Sequence, residues 1–354
     1  MSIIINLIWF AIILGVIVFV HEFGHFIWAK KFGVYVHEFA IGMGPKIIGK
    51  RIGETEYTLR CLPLGGFCSI AGEDGEETDE KGKKIPKKRK LYAKPIWQRA
   101  IVLVAGIVNN FILALVFLFL IGVFVGSPNM DPVVRELTPD YPIEEAGIVE
   151  GDKILKVNGH RTKTIEDVQV RIMVMEKGSD LKLQIEHKDG STEDYTIVPK
   201  KEVKDGETNY YYGIVFKTEF DHGFINAIKY SFNKFGALIR QMIMVLGMLF
   251  SGTGLDKLSG PVGIYSTVGE ARSYGFATLV QLTALLSINV GFINLLPFPA
   301  FDGGRLFLLL IEKIRGKALD PKIEGMINLV GFILIILLSL YVTKNDIIRL
   351  ITGK

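Results

Sequence analysis

His21-Glu22-Phe23-Gly24-His25 closes an apolar run that starts at Ile3. On a helix, residues four apart stack on one face, so both imidazoles can reach one metal ion with Glu22 beside them. The H-E-x-x-H pattern pairs two zinc ligands with a glutamate able to act as a base. An ionisable side chain costs roughly 2.5 to 3.5 kcal/mol at the centre of a membrane helix, so three of them within five residues call for a shared partner. A divalent cation supplies one. A helix end whose polar side chains emerge among lipid headgroups is the other reading these five residues allow.

The chain has 354 residues, 49% of them hydrophobic, with a net charge of +4. That is too apolar for an ordinary soluble protein, and the modest charge gives no reason to expect a nucleic-acid partner. The expected fold class is a polytopic α-helical membrane protein of about four transmembrane helices, with a membrane-associated β-hairpin region and an extracytoplasmic α+β domain. Cys61 and Cys68 form neither a C-x-x-C pair nor a disulfide framework and read as free thiols of a reducing compartment. The first apolar run lacks a basic leader and a cleavage site, so it reads as a retained span.

Four blocks follow from the hydropathy. Residues 1–126 hold two spans, Ile3 to about Trp28 and Ile101 to about Gly126, with a cytoplasmic loop between them. Lys30, Lys31 and the block Lys81, Lys83, Lys84, Lys87, Lys88, Arg89 and Lys90 place that loop inside. A metal at His25 therefore lies just under the cytoplasmic face, about 7 to 8 Å from Lys30 at 1.5 Å per residue. Within the loop, Glu56 to Leu62 alternates as a strand does, Pro63, Gly65 and Gly66 punctuate it, and Phe67 to Ala71 returns. The spacing predicts a hairpin, either a packing element or an edge that holds an extended peptide by main-chain hydrogen bonds. Glu73 to Lys90 is charged and reads as mobile. Asn109 and Asn110 interrupt the second span and read as hydrogen-bonding groups between helices.

Residues 127–218 read as an extracytoplasmic domain of short strands and one helix. Ala146-Gly147-Ile148-Val149-Glu150-Gly151-Asp152-Lys153-Ile154-Leu155-Lys156-Val157-Asn158-Gly159 resembles the bacterial PDZ signature, with a helix over Thr164–Met175 and strands near Leu181–Ile185 and Asp194–Val198. A PDZ fold implies peptide-end binding, and a domain that only blocks access is equally compatible. Residues 219–275 form an amphipathic or interfacial helix, Phe224 to Phe250 with Lys229, Lys234 and Arg240, followed by a linker. Residues 276–354 hold the last two spans, Phe276 to Leu296 and about Met326 to Val342. If Phe224–Phe250 does not cross, the third span runs inward like the first and delivers Asp302 to the depth of His25. Lys313, Arg315, Lys317 and Lys322 agree with a cytoplasmic loop there.

Asn294-Leu295-Leu296-Pro297-Phe298-Pro299-Ala300-Phe301-Asp302-Gly303-Gly304 ends the third span. Two prolines free backbone carbonyls, and irregular backbone at membrane depth is tolerated where it lines a cavity. Asp302 with two glycines can be a simple turn, or the carboxylate that completes a His₂-carboxylate zinc set with one position open.

H-E-F-G-H in a first span, N-x-x-P-x-P-x-x-D-G-G in a later one, a PDZ-like segment between them and Ser259-Gly260-Pro261-Val262-Gly263 before the third span together resemble the site-2 protease family, in its bacterial RseP/RasP type. The resemblance covers nearly the whole chain. It implies a multi-pass cell-membrane zinc metalloendopeptidase in which His21, His25 and Asp302 bind Zn²⁺ and Glu22 activates water. It also implies that Asn294 helps hold the substrate backbone and that the hairpin around Gly65, Gly66 and Phe67 is the family's membrane-associated β element. The implied partners are the lipid bilayer and single-span transmembrane substrates already cut outside, such as anti-sigma factors or remnant signal peptides. Two departures stand out: Phe301 replaces the usual leucine, and one PDZ domain replaces a tandem pair. A membrane-embedded PDZ adaptor with a structural metal is the alternative of another class.

Overall fold

The computed structural model describes residues 2–73, 78–79, 81–204, 207–215, 219–251, 258–317 and 321–352. Two compact units emerge, residues 1–117 with 245–354, and residues 118–244.

The first unit contains α1 (Ser2–Lys31), β1 (Val36–Ile52), β2 (Thr55–Ile70) and most of α2 (Ile96–Phe124). Four helices are long and apolar enough to cross a membrane: Ile3–Lys31, Ile96–Phe124, Phe276–Leu295 and Ile323–Thr352. The first and last are only 17% and 11% buried against 44% and 50% for the middle two, so they are the outer members, with broad apolar faces turned away from protein. Lys30 and Lys31 end α1, where cations offset the partial negative charge of the last carbonyls. Asn109 donates to the Val20 carbonyl at 3.1 Å and the Asn110 carboxamide lies 3.3 Å from His21 Nδ1, so both side-chain amides of α2 reach α1, while the Asn110 main-chain carbonyl accepts from Ser287 at 2.8 Å.

The β region differs from the expected hairpin. Thr55–Arg60 pairs with Lys46–Ile52 across a turn at Gly53–Glu54. Gly66–Ile70 pairs instead with Val36–Ile41, which also lies against Glu56–Leu59. Residues 36–41 thus come between the two segments that local sequence would have joined. Pro63–Gly66 carries the chain over them and does not form a tight turn between neighbours. Gly66–Ile70 is left at one edge, with no second strand paired to it among the described residues.

Within the charged stretch Glu73–Lys90, residues 74–77 and 80 lie outside the described part. The rest carries specific contacts, contrary to the mobile reading: Ile85 is 5% exposed, and the Tyr35 amide donates to the Arg89 carbonyl at 2.9 Å. Glu54 receives both Lys30 and Arg89. Burial acts to raise its carboxyl, but those two cations outweigh it and hold the pKa below the ordinary value.

The second unit holds β3 (Ser127–Pro128), β4 (Glu136–Leu137), α3 (Pro142–Glu145), β5 (Lys153–Val157), β6 (His160–Arg161), α4 (Ile165–Met173), β7 (Leu181–Glu186), β8 (Thr192–Ile197), β9 (Lys200–Lys204), β10 (Glu207–Tyr211), β11 (Ile214–Val215) and β12 (Phe220–Asp221). Residues 216–218, where the domain was expected to end, lie outside the described residues. Its main sheet runs β6-β5-β7-β8. Leu181, Leu183 and Ile185 alternate inward from β7, as a half-buried strand requires, onto Val168 of α4. Thr164 and Asp167 form a reciprocal cap at the start of α4. The first part of α5 (Phe224–Phe250) also belongs here. Lys234 and Arg240 are engaged with Glu166 and Asp167 of α4.

The remaining elements return to the first unit: α6 (Pro261–Ser273), α7 (Phe276–Leu295), α8 (Asp302–Arg315) and α9 (Pro321–Thr352). Two are helices where sequence suggested linker or loop, namely α6 and α8. Ring contacts of Trp9 with Phe276 and of Phe10 with Tyr265, both at 6.1 Å, set the starts of α6 and α7 beside the start of α1. Asn328 of α9 lies by Ala300, whereas Asp346 near its end caps α6 through Gly260 and Gly263 at 2.9 and 2.8 Å. Hence α1 and α7 run one way, and α2 and α9 the other. The chain leaves this unit along α2 towards the Ile3 end and re-enters α6 at that same end, which is what the span count needs for Asp302 to meet His25.

Candidate metal centre

Two far-separated helix ends build one site. The last turns of α1 hold His21 and His25, both 7% exposed, with Nε2 atoms 3.2 Å apart. The first residue of α8 brings Asp302, whose Oδ2 lies 3.1 Å from His21 Nε2 and 3.4 Å from His25 Nε2. Bonds of about 2.0 to 2.1 Å in tetrahedral zinc put neighbouring ligand atoms about 3.3 Å apart. The three separations match that triangle. Asp302 Oδ2 is also buried with no hydrogen-bond partner, an arrangement that suits a cation between the three atoms.

Glycines make the approach possible. A Cβ on Gly24 would fall 2.4 Å from the Ala105 carbonyl oxygen, and one on Gly106 only 2.5 Å from His25 Nε2. No side chain fits at either position, so α1 and α2 touch backbone to backbone behind the imidazoles. Gly303 and Gly304 do the same for Asp302: a Cβ there would lie 2.3 Å from the Leu295 oxygen and 2.2 Å from the Phe298 oxygen. The irregular Pro297–Phe301 segment folds over α8's first turn, and Ala300 takes a positive φ of 76° to do so.

Behind these three side chains, α2 fixes the imidazole rings. His25 Nδ1 donates to the Val102 carbonyl at 2.8 Å, which leaves its Nε2 lone pair for a metal. The Asn110 carboxamide lies 3.3 Å from His21 Nδ1, and a half turn of the amide presents its oxygen to an Nδ1–H in the same way. Val102, Gly106 and Asn110 were not linked to the site by sequence. Asn110 alone left a signal, as an amide inside an apolar span.

Glu22 sits within electrostatic reach of His21, His25 and Asp302, and accepts a hydrogen bond from the Cys68 main chain. The unpaired-edge stretch Gly66–Ile70 is therefore beside it. Gly66 lies against α1, where a Cβ would be 3.3 Å from Val18 Cγ1, and the Arg60 guanidinium covers the Phe67 ring at 5.0 Å. Gly65, at φ 90°, faces Met43. Asn294 occupies the last turn of α7, half-buried, on the chain segment that leads to Asp302. Histidines, Glu22, Asp302 and the strand edge thus lie together.

A sequence model of peptidase family M50 matches residues 9–338. The zinc metalloprotease RasP of Geobacillus kaustophilus is 34% identical, covering 97% of both chains. A putative zinc metalloprotease of Clostridium perfringens is 38% identical over 94% of this chain and 95% of its own. The regulator of sigma-W protease RasP of Bacillus subtilis is 33% identical over 96% and 98%.

Proposed function

The chain belongs to peptidase family M50, the site-2 proteases, and from that membership we propose that it cleaves the transmembrane segments of single-span proteins inside the bilayer. It is a zinc metalloprotease and a multi-pass membrane protein. His21, His25 and Asp302 hold the zinc, and Glu22 is the general base. The observation that carries this reading is the triangle of Nε2, Nε2 and Oδ2 atoms at 3.1 to 3.4 Å. Three protein ligands leave a fourth position open, as a catalytic site needs and a structural site does not.

When bound, zinc lowers the pKa of water towards about 7 and polarises the scissile carbonyl. Glu22 takes a proton from the attacking water, the water oxygen adds to the carbonyl carbon, and Glu22 returns the proton to the amide nitrogen as the C–N bond breaks. One water is consumed, and a carboxylate and an ammonium group result. The Cys68 N–H orients the Glu22 carboxylate for both transfers. His25 and His21 are kept in the ligating tautomer by Val102 and Asn110.

A transmembrane helix hides its peptide bonds in its own hydrogen-bond ladder, so the substrate must be drawn out before attack. The free edge at Gly66–Ile70, with Gly65, Gly66 and Phe67, offers main-chain groups to an unwound segment, and Asn294 adds a side-chain amide. The site lies near the cytoplasmic face. Support comes from Lys30, Lys31 and the basic loop after β2. Residues 127–218 form an extracytoplasmic PDZ domain that favours substrates with shortened ends. The B. subtilis relative's name supports anti-sigma factors as one substrate class, with remnant signal peptides as another.

Glu22→Gln tests the assignment in proteoliposomes with a single-span substrate. Turnover should fall by about 10² to 10⁴-fold, the usual contribution of a general base, with zinc retained. Turnover close to that of the unaltered chain would refute it.

A further inference from the structure

Arg305 stands three residues after Asp302, one turn along α8, so the two side chains leave the same side of the helix. Its guanidinium is ion-paired with Glu73 and is only 32% exposed. Glu73 lies just past the end of β2, and its amide donates to the Ile70 carbonyl at 3.1 Å. The same strand end supplies the Cys68 main chain to Glu22. Arg305 also feels the charges of Glu324 and of Glu22 itself. One ion pair therefore bridges the helix that carries the metal carboxylate and the strand that orients the base.

A second tie makes the role of the first separable. Arg99 of α2 binds both carboxylate oxygens of Glu312, near the far end of α8, at 2.9 Å each. Together with the close packing of Gly303 and Gly304, that contact holds α8 on the bundle without help from Arg305. It does not reach the strand edge. The Arg305–Glu73 pair does, linking the turn at Asp302 to the strand end whose Cys68 main chain bonds Glu22. Reacting groups must be held close to their productive geometry, and a misplacement of about 1 Å can cost on the order of 10²-fold in rate.

We propose that Arg305 and Glu73 are positioning residues for hydrolysis, a clamp that fixes the Glu22 carboxylate and its strand edge against the metal-bearing turn at Asp302. This rests on the roles given above to Glu22 and Asp302. The guanidinium of Arg305 is paired with Glu73 and is not a member of the His21, His25 and Asp302 group. It acts through Glu73 and the strand, so its loss lowers kcat and spares zinc binding.

The full chain in proteoliposomes, with a single-span substrate, gives kcat, KM and zinc content for Arg305→Met, Arg305→Lys, Glu73→Gln and the double variant Arg305→Met/Glu73→Gln. Each single neutralisation should lower kcat by about 10- to 100-fold, with KM within threefold and one zinc per chain. Arg305→Lys should recover part of the loss, and the double variant should be no worse than either single one, because a pair can be broken only once. The clamp is refuted by single-variant kcat values within twofold of the unaltered chain, by losses that multiply in the double variant, or by loss of zinc in step with activity. If Arg305→Met fails to fold, Glu73→Gln alone decides between the same outcomes. Glu22→Gln run alongside separates the two failures. If it keeps its turnover, the base assignment is wrong, whereas if it is inactive and Glu73→Gln is silent, only the clamp is wrong.

Discussion

The two compact units are held together by opposite means. Residues 118–244 enclose ten aliphatic side chains, from Val134 to Ile197, none more than 2% exposed, and their buried charges, Asp152 and Asp167, are paired with His187 and Arg240. In the other unit some of the most buried groups are polar: His21, His25, Asn110, Ser287 and Asp346. Apolar surface removed from water stabilises the first kind of core. Between helices in lipid that driving force is absent, and close backbone contact and interhelical hydrogen bonds replace it. Gly24 against Ala105, Asn109 on Val20 and Asp346 on Gly260 are those replacements. In the helical unit some of the groups that tie helices together, Gly24 and Asn110 among them, also stand beside the candidate metal site, whereas the aliphatic core of the β-rich unit includes none of its residues.

The sharpest way to break this contrast is to remove the proposed third ligand. Asp302→Ala leaves two imidazoles without their carboxylate, and zinc content should drop from one per chain towards zero, with turnover at background. Amide exchange at Leu183 and Ile185 should stay unchanged, because nothing in their core depends on the metal. Full zinc occupancy in the variant, by metal analysis of purified protein, would mean that Asp302 is not a ligand.

A smaller effect is expected one layer out. Asn110→Leu removes the group beside His21 Nδ1 but keeps an apolar helix surface. Such outer partners typically contribute 10- to 100-fold in metal affinity or activity. Competition with a chelator should show zinc held that much more weakly, while the Ser287 bond to the residue 110 carbonyl survives. An unchanged zinc affinity would make Asn110 purely a helix tie.

These residues also mark where sequence was readable. That His21, His25 and Asp302 come together was legible because a metal site would demand particular side chains at particular spacings, and the structure gathers those three. The direction of α7 followed from counting spans. Strand pairing was not legible: alternation in Glu56–Leu62 identifies a strand but not its partner, and Gly42, Gly44 and Pro45 disguise β1 as a broken loop. Helix α8 was hidden by Gly303 and Gly304, poor helix formers kept for close approach, although Leu306, Leu309 and Leu310 carry a helical period. Lys234 and Arg240 read as charges of an amphipathic, interfacial helix because their acidic partners stand about 70 positions away in the chain.

That last pair gives the smallest effect, and it belongs to the β-rich unit alone. Burial acts to raise the Asp167 carboxyl, but Arg240, bonded to it at 2.9 and 3.0 Å, and the main-chain amides of Lys163 and Thr164 outweigh it and hold the pKa below the ordinary value. A lowered folded-state pKa means that the stabilisation is complete above the unfolded value, about 3.9, and is lost as pH falls through the folded one. Arg240 is 37% exposed, so solvent screening limits the pair to about 1 kcal/mol. Between pH 5 and pH 3 the amides of α4 should lose exchange protection in the unaltered chain, and Asp167→Asn should be less protected at pH 5 but flat across the interval. Equal acid sensitivity in both would assign the loss to other carboxylates and leave the contact between α4 and α5 without a titrating anchor.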